Sequence, residues 1–160
     1  MSLQMSTRSR YGVRLMVALA LTHGRGSSLL RDIARQEGIS EKYLGQIVIP
    51  LKSAGLVSAH RGAHGGYSLA RAPEVITVKD VVEAIEGKIA PVPCVDPEAG
   101  ASRGECGENP AGCGRVTTCV VTEVWKKLRD DIDRSLSAFT LSELARRARE
   151  LGQPAENYVI

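Results

Sequence analysis

The chain has 160 residues, of which 43% are hydrophobic, 24% charged and only 4% aromatic. That composition describes one small globular core plus an accessory element. No apolar run reaches the ~18–20 residues that cross a bilayer, so a membrane-spanning protein is excluded and a cytoplasmic location is expected. The net charge of +3 is unevenly placed: residues 1–75 hold ten Lys and Arg against four Asp and Glu, and residues 76–160 hold eleven against fourteen. A cationic first half points to a polyanion as partner.

In chain order, "STRSRYGVRLMVALALTHGRG" predicts a first helix, with Ser6 or Thr7 able to accept from its free amides and Gly24 suited to its stop. Ser27 and Ser28 then precede "LLRDIARQEGIS", where Leu30, Ile33 and Ala34 share a face in a short helix ending near Gly38. Ser40 can cap a third helix, "EKYLGQIVIPLKSAG", whose Leu44, Ile47, Val48 and Leu51 recur at helical spacing. Pro50 conflicts with that run, since it removes one amide, and it should bend the helix or mark an early turn.

"LVSAH" and "YSLAR" alternate apolar and polar positions around the glycine-rich "RGAHGG", which reads as a β-hairpin. "TVKDVVEAIEGK" is a helix capped by Thr77 and stopped at Gly87. Beyond a poorly structured acidic segment, apolar residues recur at Val121, Val124, Trp125, Leu128, Ile132, Leu136 and Phe139, a stripe of about six helical turns. Thr140 and Glu143 match a capping box ahead of a last helix, "LSELARRARELG".

Helix, short helix, tight turn, helix and hairpin are the order of a winged helix-turn-helix. The third helix would enter a major groove while the second crosses the backbone. Lys42, Tyr43 and Gln46 lie near its start, and Gln46 has the donor–acceptor pair to read an adenine edge. Tyr43 has a plainer reading as a cap on the edge of the core. Lys42, Lys52, Arg8 and Arg10 would neutralise phosphates, and Arg61 at the hairpin tip would enter a minor groove. His60 and His64 read equally as exposed hairpin residues and as contacts, and no histidine has a neighbour at metal-ligand spacing.

All four cysteines, Cys94, Cys106, Cys113 and Cys119, crowd into residues 94–119, a stretch rich in Gly, Pro and Glu. Cytosolic thiols stay reduced, which favours metal or redox chemistry over a disulfide framework. Structural zinc favours close Cys-x-x-Cys pairs, and there are none. Thiolates in a flexible glycine-rich loop suit an iron–sulfur cluster, and exposed thiols suit reversible oxidation. A thiol redox enzyme is not supported: the chain has no Cys-x-x-Cys, no suitably spaced His beside a thiol and no nucleotide loop.

"MSTRSRYGVRLMVALA", "DIARQEGISEKYLGQIVIPLKSAGLVSAHRGAHGGYSLAR" and "CGRVTTCVVTEVW" together resemble the winged-helix transcription regulators of the Rrf-two family. That family includes iron–sulfur cluster, nitric-oxide, iron and cysteine-metabolism regulators. The resemblance implies a mostly α fold with a small β-hairpin, as a winged helix-turn-helix DNA-binding domain over 5–90. A cysteine-rich cluster-binding loop over 91–118 and a dimerisation helix with the C-terminal helix over 119–152 would follow. It implies a homodimeric repressor, joined along a helix of roughly 118–138, on a pseudo-palindromic operator of double-stranded DNA.

The resemblance further implies an iron–sulfur cluster, 2Fe–2S or 4Fe–4S, held by Cys94, Cys113 and Cys119, with Cys106 carried on an insertion. Bound or lost, it would change the placement of the DNA-reading heads. Where the iron–sulfur regulators have a His ligand this chain has Thr122, and where the nitric-oxide sensors have an Asp ligand it has Arg10. Cys106 is then the expected fourth ligand. Gly45 stands where the iron–sulfur regulators often have Glu, so a different operator preference is expected. A clusterless regulator of the same fold, sensing through a partner protein, a metabolite or thiol oxidation, is the alternative.

Overall fold

The computed structural model describes residues 5–62, 65–96 and 118–152. Helix α1 (Thr7–Leu21) begins where the Ser6 hydroxyl accepts the Ser9 amide at 3.1 Å. It ends at Leu21, before Gly24, because Thr22 already serves as its cap. Leu15, Met16, Leu19 and Leu21 are wholly buried along it, so α1 is the axis of the core.

Helix α2 (Leu30–Glu37) starts without a side-chain cap. Ser28, just upstream, is instead buried and exchanges two backbone hydrogen bonds of 2.8 Å with Tyr67, clamping the hairpin to the body. Gly38 closes α2 in the left-handed region at φ 66°, where a Cβ is unfavourable, and so sets the turn into the next helix. Helix α3 (Glu41–Ser53) opens with the Ser40 hydroxyl accepting the Tyr43 amide. Pro50 does not end it: the helix runs on to Ser53. The carbonyl that Pro50 cannot serve, four residues back at Gln46, takes a hydrogen bond from the Arg8 guanidinium at 3.3 Å.

Strands β1 (Val57–His60) and β2 (Gly66–Leu69) pair antiparallel, with Val57 opposite Leu69 and His60 opposite Gly66. The second strand therefore starts one residue earlier than "YSLAR" suggests and stops at Leu69, after which Ala70 bonds back to Leu56. Helix α4 (Val78–Glu86) carries a reciprocal Thr77–Asp80 capping box. A 3-10 turn (Pro93–Val95) follows, then α5 (Val121–Ser137) and α6 (Leu141–Glu150).

Leu15, Leu19, Ile33, Leu44, Ile47, Leu51, Leu56, Val81 and Leu141 form one apolar core. Helix α6 belongs to it through Leu141, Ala145 and Ala148. Its entry is tied to α4 by the Val78 amide on the Phe139 carbonyl and the Leu141 amide on the Ile76 carbonyl, each 2.9 Å. Helix α5 differs: Thr122 is its only buried residue, while Val121 and Val124 remain 47% and 59% exposed.

Candidate nucleic-acid interface

At roughly 100° per residue, the buried side of α3 (Leu44, Ile47, Val48, Leu51) leaves Lys42, Gln46, Ile49, Lys52 and Ser53 on its outward side, all exposed. The predicted Lys42, Gln46 and Lys52 thus share one face. Tyr43 does not join it. It is half-buried against the core and meets Tyr11 edge-on, with ring centroids 6.1 Å apart. Arg14 lies 5.6 Å over the Tyr11 ring and bonds Glu37 at 2.5 Å, so the end of α2 and the start of α3 are both fixed against α1. Tyr43 thus packs at the edge of the core while remaining partly exposed beside the face.

The other cations divide by their partners. On α2, Arg31 and Arg35 both lie within 3.8 Å of Asp32. Among the described residues, Lys42, Lys52 and Arg61 form no ion pair. Positive charge without an ion-pair partner thus stands on α3 and at the end of β1, as it also does on Arg25, Arg71, Lys126 and Arg147. Arg8 is bound to the α3 backbone at Gln46, and Arg10 donates to the Thr7 hydroxyl at 2.9 Å. Both are exposed, and Arg8 lies beside α3.

Arg61 is exposed at the end of β1, next to the wing tip, whose residues 63 and 64 (and with them His64) lie outside the described residues. The hairpin is set by close backbone approach: a Cβ on Gly66 would stand 2.7 Å from the Ser28 carbonyl oxygen. His60 joins Ser68 across the strands at 2.8 Å, which makes it part of the hairpin's own bonding.

A surface carboxylate sits behind this face. The Ser6 and Ser9 hydroxyls both donate to Glu86, Ser9 at 2.6 Å. The Ser6 bond, then the Ser9 bond, hold the Glu86 carboxyl below the usual range, with the Arg8 charge adding to them. The end of α4 is thereby fixed to the start of α1, which carries Arg8 and Arg10.

Of the predicted thiols, Cys106 and Cys113 lie outside the described residues. Cys94 is half-buried in the 3-10 turn and Cys119 half-buried two residues before α5. The Arg129 guanidinium on α5 donates to the Val95 carbonyl at 2.9 Å, which fastens the Cys94 turn to α5. Among the described residues, no three His, Cys, Asp or Glu side chains converge as a metal site. Thr122, at the position of the expected histidine, is buried, and its amide bonds the Cys119 carbonyl at 3.0 Å.

A capped helix-turn-helix with a short clamped wing and an outward cationic face is the architecture of a winged-helix DNA-binding regulator. The family model described as Rrf2, iron-dependent transcriptional regulator, matches residues 5–147, and the chain belongs to that family. It is 38% identical over 143 residues to the transcriptional regulator CymR of Bacillus subtilis, covering 89% of this chain and 90% of that protein. The solved structure of that global cysteine regulator superposes with a TM-score of 0.69, over 91% of this chain and 98% of the other. Protein rrf2 of Nitratidesulfovibrio vulgaris is 38% identical over 91% of this chain and 89% of its own length. The structure of T. potens IscR, 33% identical, superposes with a TM-score of 0.70 over 94% of this chain and 91% of that one. The chain is a transcriptional regulator of the Rrf2 family and not an enzyme. No described helix is long and apolar enough to cross a membrane.

Proposed function

We propose that this regulator is a homodimeric repressor that reads a two-fold operator, with α3 in the major groove and Arg61 in the adjacent minor groove. What carries this conclusion is the outward face of α3, where Lys42, Gln46 and Lys52 stand together on a helix held rigidly from behind. Gln46 supplies base readout, and Lys42, Lys52, Arg8 and Arg10 supply phosphate contacts. The start of α5 supports a two-fold seam: Val121 and Val124 are 47% and 59% exposed on a helix of which Thr122 alone is buried.

Gel shifts on operators selected from a random duplex library test this. Lys42→Ala should weaken all sequences alike and lower the salt slope by about 1. Gln46→Ala should cost about 1–3 kcal/mol and relax the preference at one base pair per half-site. Binding that ignores salt and both substitutions would refute the assignment.

For the sensor, Cys94, Cys106, Cys113 and Cys119 would hold an iron–sulfur cluster, since four thiolates are a donor set such clusters take. When bound, the cluster supplies a redox-active centre open to oxidants. The anchoring of the Cys94 turn to α5 and the position of Cys119 just before it fit this, because the loop is then fastened at both ends to one helix. From α5, Asp133 accepts from Lys79 of α4 at 2.8 Å, and α4 packs on α1 and α3. That line of contacts offers a route from the loop to the reading head.

The likeness to a global cysteine regulator favours a second reading, in which the thiols act by oxidation or the signal is a metabolite or partner protein. Iron and acid-labile sulfide counts after anaerobic purification separate the two. Stoichiometric iron that falls in Cys106→Ala supports the cluster with Cys106 as ligand. Iron-free protein that resists reconstitution supports the thiol reading.

A further inference from the structure

We propose that Ile49 is a base-reading residue, and that its side chain takes the C5 methyl group of a thymine in the major groove. This rests on α3 being the recognition helix. Ile49 is 65% exposed and lies at the centre of the outward face, diametrically opposite the buried stripe. It is an apolar side chain among readers of DNA, flanked by Lys42, Gln46 and Lys52.

Helix formation does not explain it. A β-branched residue is a poor choice at an exposed helical position, and Pro50 beside it is worse. A breach of local preference on an otherwise consistent helix marks a position held for another reason.

Gly45 supplies the second part of the arrangement. It lies one turn before Ile49, and a Cβ built on it meets no atom within 4 Å. Helical side chains lean over the turn on their N-terminal side, so Ile49 leans toward the gap that Gly45 leaves. Together they form an apolar notch open to solvent. In the major groove the thymine methyl is the apolar group that a base pair presents, and an aliphatic side chain is its complement.

The test uses full-length protein and the operator selected from a random duplex library, with each thymine replaced in turn by deoxyuridine. Removing one methyl from the notch should weaken the wild type about four-fold per half-site. Ile49→Ser should lose the same factor and become indifferent to deoxyuridine at that position, while Ile49→Leu should keep both affinity and discrimination. Because the side chain is exposed, the melting temperature of Ile49→Ser should be unchanged, which separates contact from fold.

The proposal is overturned if no thymine replacement affects the wild type, or if Ile49→Ser stays as sensitive as the wild type. Failure to select any operator would instead remove the recognition-helix assignment. An operator weakened by Gln46→Ala but indifferent to every change at Ile49 removes only this proposal.

Discussion

Single residues decide where the reading helix can go. Arg8 and Pro50 form one such pairing: proline takes a donor out of the helix, and an arginine from another helix fills the vacancy at Gln46. The sequence displays Pro50 as a conflict because its remedy is 42 positions away, at Arg8, and no local pattern connects the two. Tyr43 has a place at the start of α3 that suits DNA, and its ring also packs edge-on against Tyr11.

Glu86 makes the sharpest prediction at this scale. Its carboxyl is held below the ordinary range by the Ser6 and Ser9 hydroxyls. A group whose folded-state value is depressed stabilises the fold above its unfolded value, near 4.5. That stabilisation is lost as pH falls through the folded value. Glu86→Gln should therefore lower stability at neutral pH by about 1 kcal/mol, the scale of a surface charge-assisted bond. Its acid denaturation curve should be less steep below about pH 4.5. Denaturant melts across pH check both, and identical pH profiles for the two proteins would rule the contact out.

At the scale of elements, the caps are what make the head legible in the chain. Ser6, Ser40, Thr77 and Thr140 each sit one residue before a helix and accept from its third amide, as their residue types imply. Helix α2 lacks that signal because Leu29 holds its cap position, while the Ser28 hydroxyl meets Thr22 at 3.0 Å and the Ser28 backbone pairs with Tyr67, 39 positions on, where no short window reveals it. The helical period already leaves Ile49 off the stripe of Leu44, Ile47, Val48 and Leu51, but only the structure shows how far it stands open, at 65% exposed.

The α5 stripe was legible as a pattern, and its exposure in one chain gives it meaning. Val121 and Val124 stand exposed at the start of that stripe beside half-buried Trp125 and Leu128, which fits the second copy proposed above. Val124→Glu should therefore place a charge twice in a two-fold seam, at about 2 kcal/mol or more for each copy. Sedimentation at micromolar concentration should show monomer for the variant and dimer for the wild type. A wild-type monomer, or a variant that remains dimeric, would count against the seam.

Across the whole molecule, the cationic half sets Lys42 and Lys52 on the outward side of α3 and Arg61 at the end of β1, while α5 carries four cations against four carboxylates and α6 three against two. The family could be recognised from the wing and the cysteine spacing. The fate of the thiols could not, because Thr122 and Arg10 stand where the resembling regulators supply a fourth ligand, and spacing alone does not say whether Cys106 replaces it. The most direct measurement of the central claim, that two copies read DNA through α3, is a hydroxyl-radical and methylation footprint on a selected operator, with complex stoichiometry measured in parallel. The account predicts two protomers per operator and two protected major-groove segments related by a dyad, spaced by a whole number of helical turns of about 10 base pairs each. One protomer per site, or protection without a dyad, would contradict it.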